Sequence, residues 1–102
     1  MIKHIVIWKL KNPLDAPHFK AQLDTCVDLV SGMQQFEVAL RTPELDANCD
    51  VVLYSVFKDS ALLSAYQNHP HHQQTSTSLG AMRETRSVLD YEITRPFKET
   101  NQ

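Results

Sequence analysis

Ile2-Lys3-His4-Ile5-Val6-Ile7-Trp8-Lys9-Leu10 decides how the rest of this chain is arranged. Its even positions carry Ile2, His4, Val6, Trp8 and Leu10; its odd positions carry Lys3, Ile5, Ile7 and Lys9. Successive side chains of a strand point to opposite faces. Both faces of this segment are therefore apolar in the middle, the mark of a central strand covered on both sides. His4 then points to a mostly apolar face beside Val6 and Trp8. A buried imidazole must find hydrogen-bond partners, and desolvation pushes its pKa down.

A second segment reads the same way. Val51, Leu53, Ser55 and Phe57 make one face of a strand and Val52, Tyr54 and Val56 the other. Two further strands are half polar. Phe36, Val38 and Leu40 alternate with Gln35, Glu37, Ala39 and Arg41, and Val88, Asp90 and Glu92 alternate with Leu89, Tyr91 and Ile93. Between the first and second strands, Asp15 is a good N-cap for a helix running to about Ser31, with Pro17 tolerated in its first turn. Ala16, Phe19, Leu23, Cys26, Val27 and Val30 form its apolar stripe, and Gly32 is its natural stop. Asp59 caps a second helix with Leu62, Ala65, Tyr66 and His69 on one side. Pro70 ends that helix and begins the next turn, so a short helix is predicted from His71 to Leu79.

The predicted order is β-α-β-β-α-β. Right-handed crossovers place the first and third strands at the centre of an antiparallel sheet and the other two outside. This is a ferredoxin-like α+β fold, and the strand patterns agree with it independently: the doubly apolar strands are the central ones. The helices cover only one face. Leaving Ile5, Ile7 and their neighbours wet would expose a large apolar patch. A homodimer through that sheet face, a twofold pair enclosing a dimeric α/β barrel, is the simplest cover.

Length and composition agree with one domain, residues 1–95, followed by a polar tail, 96–102. The chain has 102 residues, 42% of them hydrophobic, and a formal charge of −2 with histidines neutral. That leaves no cationic surplus for a nucleic-acid backbone, so no nucleic-acid partner is expected. No apolar run reaches the ~20 residues of a membrane helix, and no membrane partner is expected. The N-terminus opens directly into a strand, without the charge and apolar block of a signal peptide. Cys26 and Cys49, outside any CxxC, read as free thiols. A cytoplasmic protein follows. Protonating all five histidines reverses the sign of its charge.

Chemistry concentrates in Tyr66-Gln67-Asn68-His69-Pro70-His71-His72. Tyr66, His69 and His72 are spaced so that continuous helical geometry would set them on roughly one face, towards His4. His69, before a proline, is suited to capping the preceding helix. His69 and His72 are also a two-ligand start for zinc, nickel or copper. No nearby Cys, Asp or Glu completes that set, and no metal or other cofactor is expected. His18 reads as exposed.

Four stretches together resemble the Dabb family, the stress-responsive dimeric α/β-barrel domain. They are Ile2-Lys3-His4-Ile5-Val6 with Trp8-Lys9-Leu10, the Asp50–Phe57 strand followed by Asp59, the YxxHPxH pattern from Tyr66 to His72, and Val88-Leu89-Asp90-Tyr91-Glu92. The resemblance covers nearly the whole length. It implies two ferredoxin-like subunits packed sheet to sheet with the helices outside. It also implies, by likeness to the family's plant olivetolic acid cyclase, catalytic roles for His4, Tyr66 and His72. The implied chemistry is an intramolecular aldol condensation, with His72 as base, Tyr66 as donor to a developing enolate oxygen, and His4 orienting substrate or shuttling a proton. Val6, Trp8 and His69 are the expected ligand-binding neighbours, with Trp8 narrowing any cavity. Two functions stand side by side: a stress-associated protein that binds a small apolar, phenolic or carbonyl ligand, and a cofactor-independent lyase or cyclase acting on a β-carbonyl compound.

Overall fold

The computed structural model describes residues 1–93. The predicted tail, 96–102, and the last two residues of the predicted domain, 94–95, lie outside the described residues. The elements run β1 (Ile2–Leu10), a 3₁₀ turn (Pro13–Asp15), α1 (Ala16–Asp24), β2 (Met33–Leu40), β3 (Val51–Phe57), α2 (Ser60–Asn68), α3 (Pro70–Gly80) and β4 (Arg83–Glu92). The four strands form one antiparallel sheet in the order β2-β3-β1-β4. The two doubly apolar strands are central, as their patterns require.

Register decides which side chains share a face. His4 lies between Ser55 of β3 and Asp90 of β4, Val6 between Leu53 and Val88, and Trp8 between Val51 and Arg86. These residues face the helices. Val6, Trp8, Leu10, Val51 and Leu53 pack there against Ala16, Phe19 and Leu23 of α1 and Leu79 of α3. The Trp8 and Phe19 rings meet edge to face at 5.1 Å, an arrangement that favours the aromatic quadrupoles. Phe57, Leu63, Tyr66 and Cys26 make a second cluster beside the first. Burial of these side chains supplies the main driving force for the fold. The opposite face of the sheet carries Ile5, Ile7, Val52, Tyr54, Leu89 and Tyr91 and, among the described residues, no helix.

Asp50 ties the ends of the central strands together. Its carboxylate accepts from the Leu10 amide at 2.8 Å, and its own amide donates to the Trp8 carbonyl at 2.8 Å. Asp59 caps α2 as expected, accepting from the Leu62 amide at 2.9 Å.

Four elements differ from the sequence reading. The first helix stops at Asp24 rather than near Ser31. Beyond it the amides of Thr25, Cys26 and Val27 bond three residues back, and the Thr25 hydroxyl donates to the Gln22 carbonyl. Such tightened turns carry β-branched residues more readily than a regular helix does. Asp28 then adopts φ 60° and Gly32 φ 90°, which no continuing helix allows. Val27 is consequently turned out to solvent, while Cys26 stays buried. On α2, Leu63 is buried and Ala65 exposed, so the inward stripe is Leu63 and Tyr66. Finally, β2 begins at Met33 and β4 at Arg83, because pairing along the full lengths of β3 and β1 extends both strands.

Candidate functional site

His4, Tyr66 and His72 converge beneath α2 and α3. His4 reaches the site from β1 and is 2% exposed. Its Nδ1 donates to the carboxylate of Asp90 on β4. That bond sets the ring's orientation and, in the neutral form, leaves Nε2 as the lone-pair nitrogen. The His4 carbonyl also accepts from the Ser55 hydroxyl at 3.1 Å, so backbone and side chain are both held. The ring meets Phe57 and Tyr66 edge-on, each at 6.4 Å.

Tyr66 comes from the last full turn of α2 and is completely buried. His72 comes from the first turn of α3. The two helices are not continuous. The residue before a proline is driven out of helical geometry, and His69 has φ −63° and ψ 133°. His69 Nδ1 accepts from the His71 amide at 3.1 Å, capping α3. The break turns α3 back, and His72 and Tyr66 still meet, ring to ring, at 4.6 Å. Convergence is therefore produced across the break expected at Pro70, without the continuous helical geometry that would have set the three on one face.

Two polar atoms here, the Tyr66 hydroxyl and His72 Nδ1, are buried without a hydrogen-bond partner among the described residues. Buried polar groups are ordinarily satisfied, and leaving one unpaired costs about 1–3 kcal/mol. Their protonation follows from the surroundings. Burial drives the Tyr66 phenol far above its ordinary value, and the adjacent Cys26 thiol adds to that. Burial pushes the His72 imidazole below its ordinary value; the Gln67 carbonyl opposes this, while His4, Arg86 and His69 add to it. At neutral pH the site thus holds a phenol that keeps its proton and an uncharged imidazole. Burial likewise raises the Cys26 thiol.

These residues line a cavity of about 30 Å³, walled by His4, Trp8, Cys26, Tyr66 and His72, with half-buried Arg83 and exposed Arg86 also bordering it. That is room for one or two waters. Counting its open mouth, the recess encloses about 440 Å³ of empty space. Val6 and Trp8 line it, and His69 does not, being occupied with the cap. His71 is turned away and meets the Thr25 hydroxyl at 2.8 Å. Among the described residues no three His, Cys, Asp or Glu side chains are grouped to hold a metal ion.

Asp90, Cys26, Arg83 and Arg86 were not singled out as site residues from sequence. Asp90 was legible in principle. The expected order pairs β4 with β1, and an acidic residue on an inward register of β4 is the natural partner for a histidine on β1. The two arginines carried no such signal, since their inward direction depends on where β4 begins.

A four-stranded antiparallel sheet with its helices on one face, and this His–Tyr–His recess between the layers, defines a ferredoxin-like α+β domain. The chain belongs to the stress responsive A/B barrel domain family, Dabb, whose model matches residues 2–93. No curated protein matches it. Among solved structures it is similar to a dimeric protein of unknown function with a ferredoxin-like fold from Bacteroides fragilis NCTC 9343. The identity is 27% over 90% of this chain and 95% of that one, with a TM-score of 0.75. A Dabb family protein from Mesorhizobium loti MAFF303099 is 22% identical over 92% and 97%, with a TM-score of 0.75. A protein described as a putative antibiotic biosynthesis monooxygenase from Nitrosomonas europaea is 18% identical over 93% and 100%, with a TM-score of 0.75. These last two likenesses show the fold alone. None of the comparisons extends the likeness to the plant cyclase.

Proposed function

We propose that this protein is a homodimeric stress-response barrel that binds a small phenolic or carbonyl compound in the recess between sheet and helices. The observation that carries this reading is a pair of buried polar atoms without a partner among the described residues, the Tyr66 hydroxyl and His72 Nδ1, on two residues that line one cavity and whose rings meet at 4.6 Å. A protonated phenol donates and a neutral imidazole nitrogen accepts. A ligand with one oxygen and one acidic hydrogen satisfies both, while Trp8 and Val6 supply an apolar wall. The closed cavity is smaller than such a ligand, so the recess must widen to admit it. Dimerisation follows from the uncovered apolar sheet face and from the dimeric relative in Bacteroides fragilis. Free Cys26 and Cys49 agree with a cytoplasmic location.

A second reading draws on the same atoms. His72 Nδ1 takes a proton from the carbon between two carbonyls, the electron pair moves onto the carbonyl oxygen, and the Tyr66 hydroxyl donates to that enolate. The chain is then a cofactor-independent lyase or cyclase of β-carbonyl compounds, with His4 held by Asp90 to position the substrate. One set of experiments separates the two. Neutral 4-hydroxyacetophenone is titrated while imidazole and tyrosine resonances are followed by NMR; both readings expect shifts at Tyr66 and His72, and about tenfold weaker binding by Tyr66→Phe. Acetylacetone in deuterated buffer tests catalysis. Carbon–hydrogen exchange above the buffer rate, lost in a folded His72→Ala variant, selects the enzyme. Exchange at the buffer rate leaves the binding protein. No ligand-induced shift at either residue removes both.

A further inference from the structure

The recess is bordered by two arginines that no ion pair among the described residues employs. Arg83 and Arg86 lie on β4 opposite Leu10 and Trp8, on the side of the sheet that the helices cover. Both border the cavity. Neither takes part in an ion pair among the described residues, where the pairs are His4–Asp90, Lys9–Glu84 and Lys20–Asp24. The acidic group nearest along this face, Asp90, is engaged by His4. Around the cavity the charge is therefore positive although the chain as a whole is negative.

Arg86 is exposed and Arg83 half-buried, so both guanidinium groups are within reach of solvent and of an entering ligand. Arg86 stands close enough to His72 to disfavour protonation of that ring, and two unpaired cations flank a pocket that already holds two unsatisfied polar atoms. Inward-pointing charge on an edge strand has one ordinary use, to discourage pairing with other strands. Glu84 and Lys9 already put charge at that end of the edge. A guanidinium fork, by contrast, matches a carboxylate in shape and charge.

We propose that the ligand is a small aromatic or β-oxo carboxylate, entering with its carboxylate on Arg83 and Arg86 and its hydroxyl or carbonyl oxygen towards Tyr66 and His72. This inference rests on the binding reading above and makes it more specific. The arginines select the acid over uncharged compounds of the same shape. The inner atoms hold the oxygen, and Trp8 packs against the intervening carbons. Acid and oxygen must sit at opposite ends of the ligand, which excludes simple fatty acids and neutral phenols as the preferred occupants.

The test compares 4-hydroxybenzoate with 4-hydroxybenzamide, its uncharged analogue, by calorimetry and by NMR at the Tyr66 and His72 resonances. The acid should bind about tenfold more tightly than the amide, the size of one charge-assisted pair at a partly exposed site. Raising the salt concentration should erode that advantage. Arg83→Gln and Arg86→Gln should each reduce the ratio, and the double variant should abolish it, with the circular dichroism spectrum unchanged. Equal binding of acid and amide by the parent protein overturns the carboxylate inference and leaves the pocket reading standing. So does a ratio that survives the double variant. If neither compound shifts Tyr66 or His72, the pocket reading itself falls and the inference falls with it.

Discussion

His72 is where protonation and stability meet. Its folded pKa lies below its ordinary value because the ring is buried beside His4, Arg86 and His69. The unfolded chain therefore binds the proton more readily than the folded one, and stability must fall as pH drops. The contribution is fully present above the unfolded value of about 6.5 and is lost progressively below it, towards the lower folded value. Urea unfolding of the parent and of His72→Asn at intervals from pH 7.5 to 4.5 reads this directly. The difference between the two proteins should be constant above pH 6.5 and should move in favour of the variant on the acid side. A difference independent of pH would mean that the ring protonates as easily folded as unfolded. At this scale much was legible. The family resemblance implied His4, Tyr66 and His72 together, residue type and spacing pointed to the same region with His69 added, and the three rings do lie together. Asp90 was overlooked because an alternating strand reads as wet on its polar side until its neighbour is known.

Among the elements, the turn before β2 is the least tolerant. Gly32 has φ 90° and its amide plane is committed, with its carbonyl accepting from the Lys58 amide at 3.1 Å. A Cβ at this position would overlap Leu62 Cδ1 of α2. Left-handed backbone and steric conflict act together, so Gly32→Ala should cost about 1–3 kcal/mol. Gly80 has open space around its Cβ position and no positive φ. It sits at the end of α3, and Gly80→Ala should be neutral or stabilising by up to about 1 kcal/mol. Thermal denaturation of both variants checks the contrast; similar losses at the two sites would show that Leu62 yields freely. Gly32 was legible as a stop, but the length of the preceding helix was not. The periodicity of Cys26, Val27 and Val30 continues the apolar stripe, whereas the helix stops at Asp24 and Asp28 in the left-handed region bars its resumption.

Over the whole molecule, the uncovered sheet face makes the strongest demand. Ile7 is 38% exposed, Leu89 64% and Tyr91 39%, all on the side without helices. An apolar face of this kind marks an interaction surface. In the proposed sheet-to-sheet dimer, Ile7→Glu or Leu89→Glu buries a carboxylate without a partner, at a cost of several kcal/mol. Each should convert a dimer to monomer in size-exclusion chromatography with light scattering. A substitution on the helix-covered layer, Leu79→Ala, should lower stability and leave the mass unchanged. A parent protein that elutes as a monomer at all concentrations would sink the dimer. No helix among the described residues is long and apolar enough to cross a membrane.

The alternation of polar and apolar residues determined the strands, their central or outer places and the covered face, because side-chain direction in a strand depends only on parity. The Asp59 cap and the break at Pro70 were equally local, since each depends on a residue and its immediate neighbours, whereas the His69 side chain, expected to cap the preceding helix, caps α3 after it. Tertiary structure alone decided the rest. Pairing of β4 along β1 brought Asp90 to His4 and turned Arg83 and Arg86 to the recess. The kink at His69 set the Tyr66 and His72 rings together and left their polar atoms unpaired over one small cavity. Those are relations between residues distant in sequence or across a change of direction, and no local periodicity encodes them.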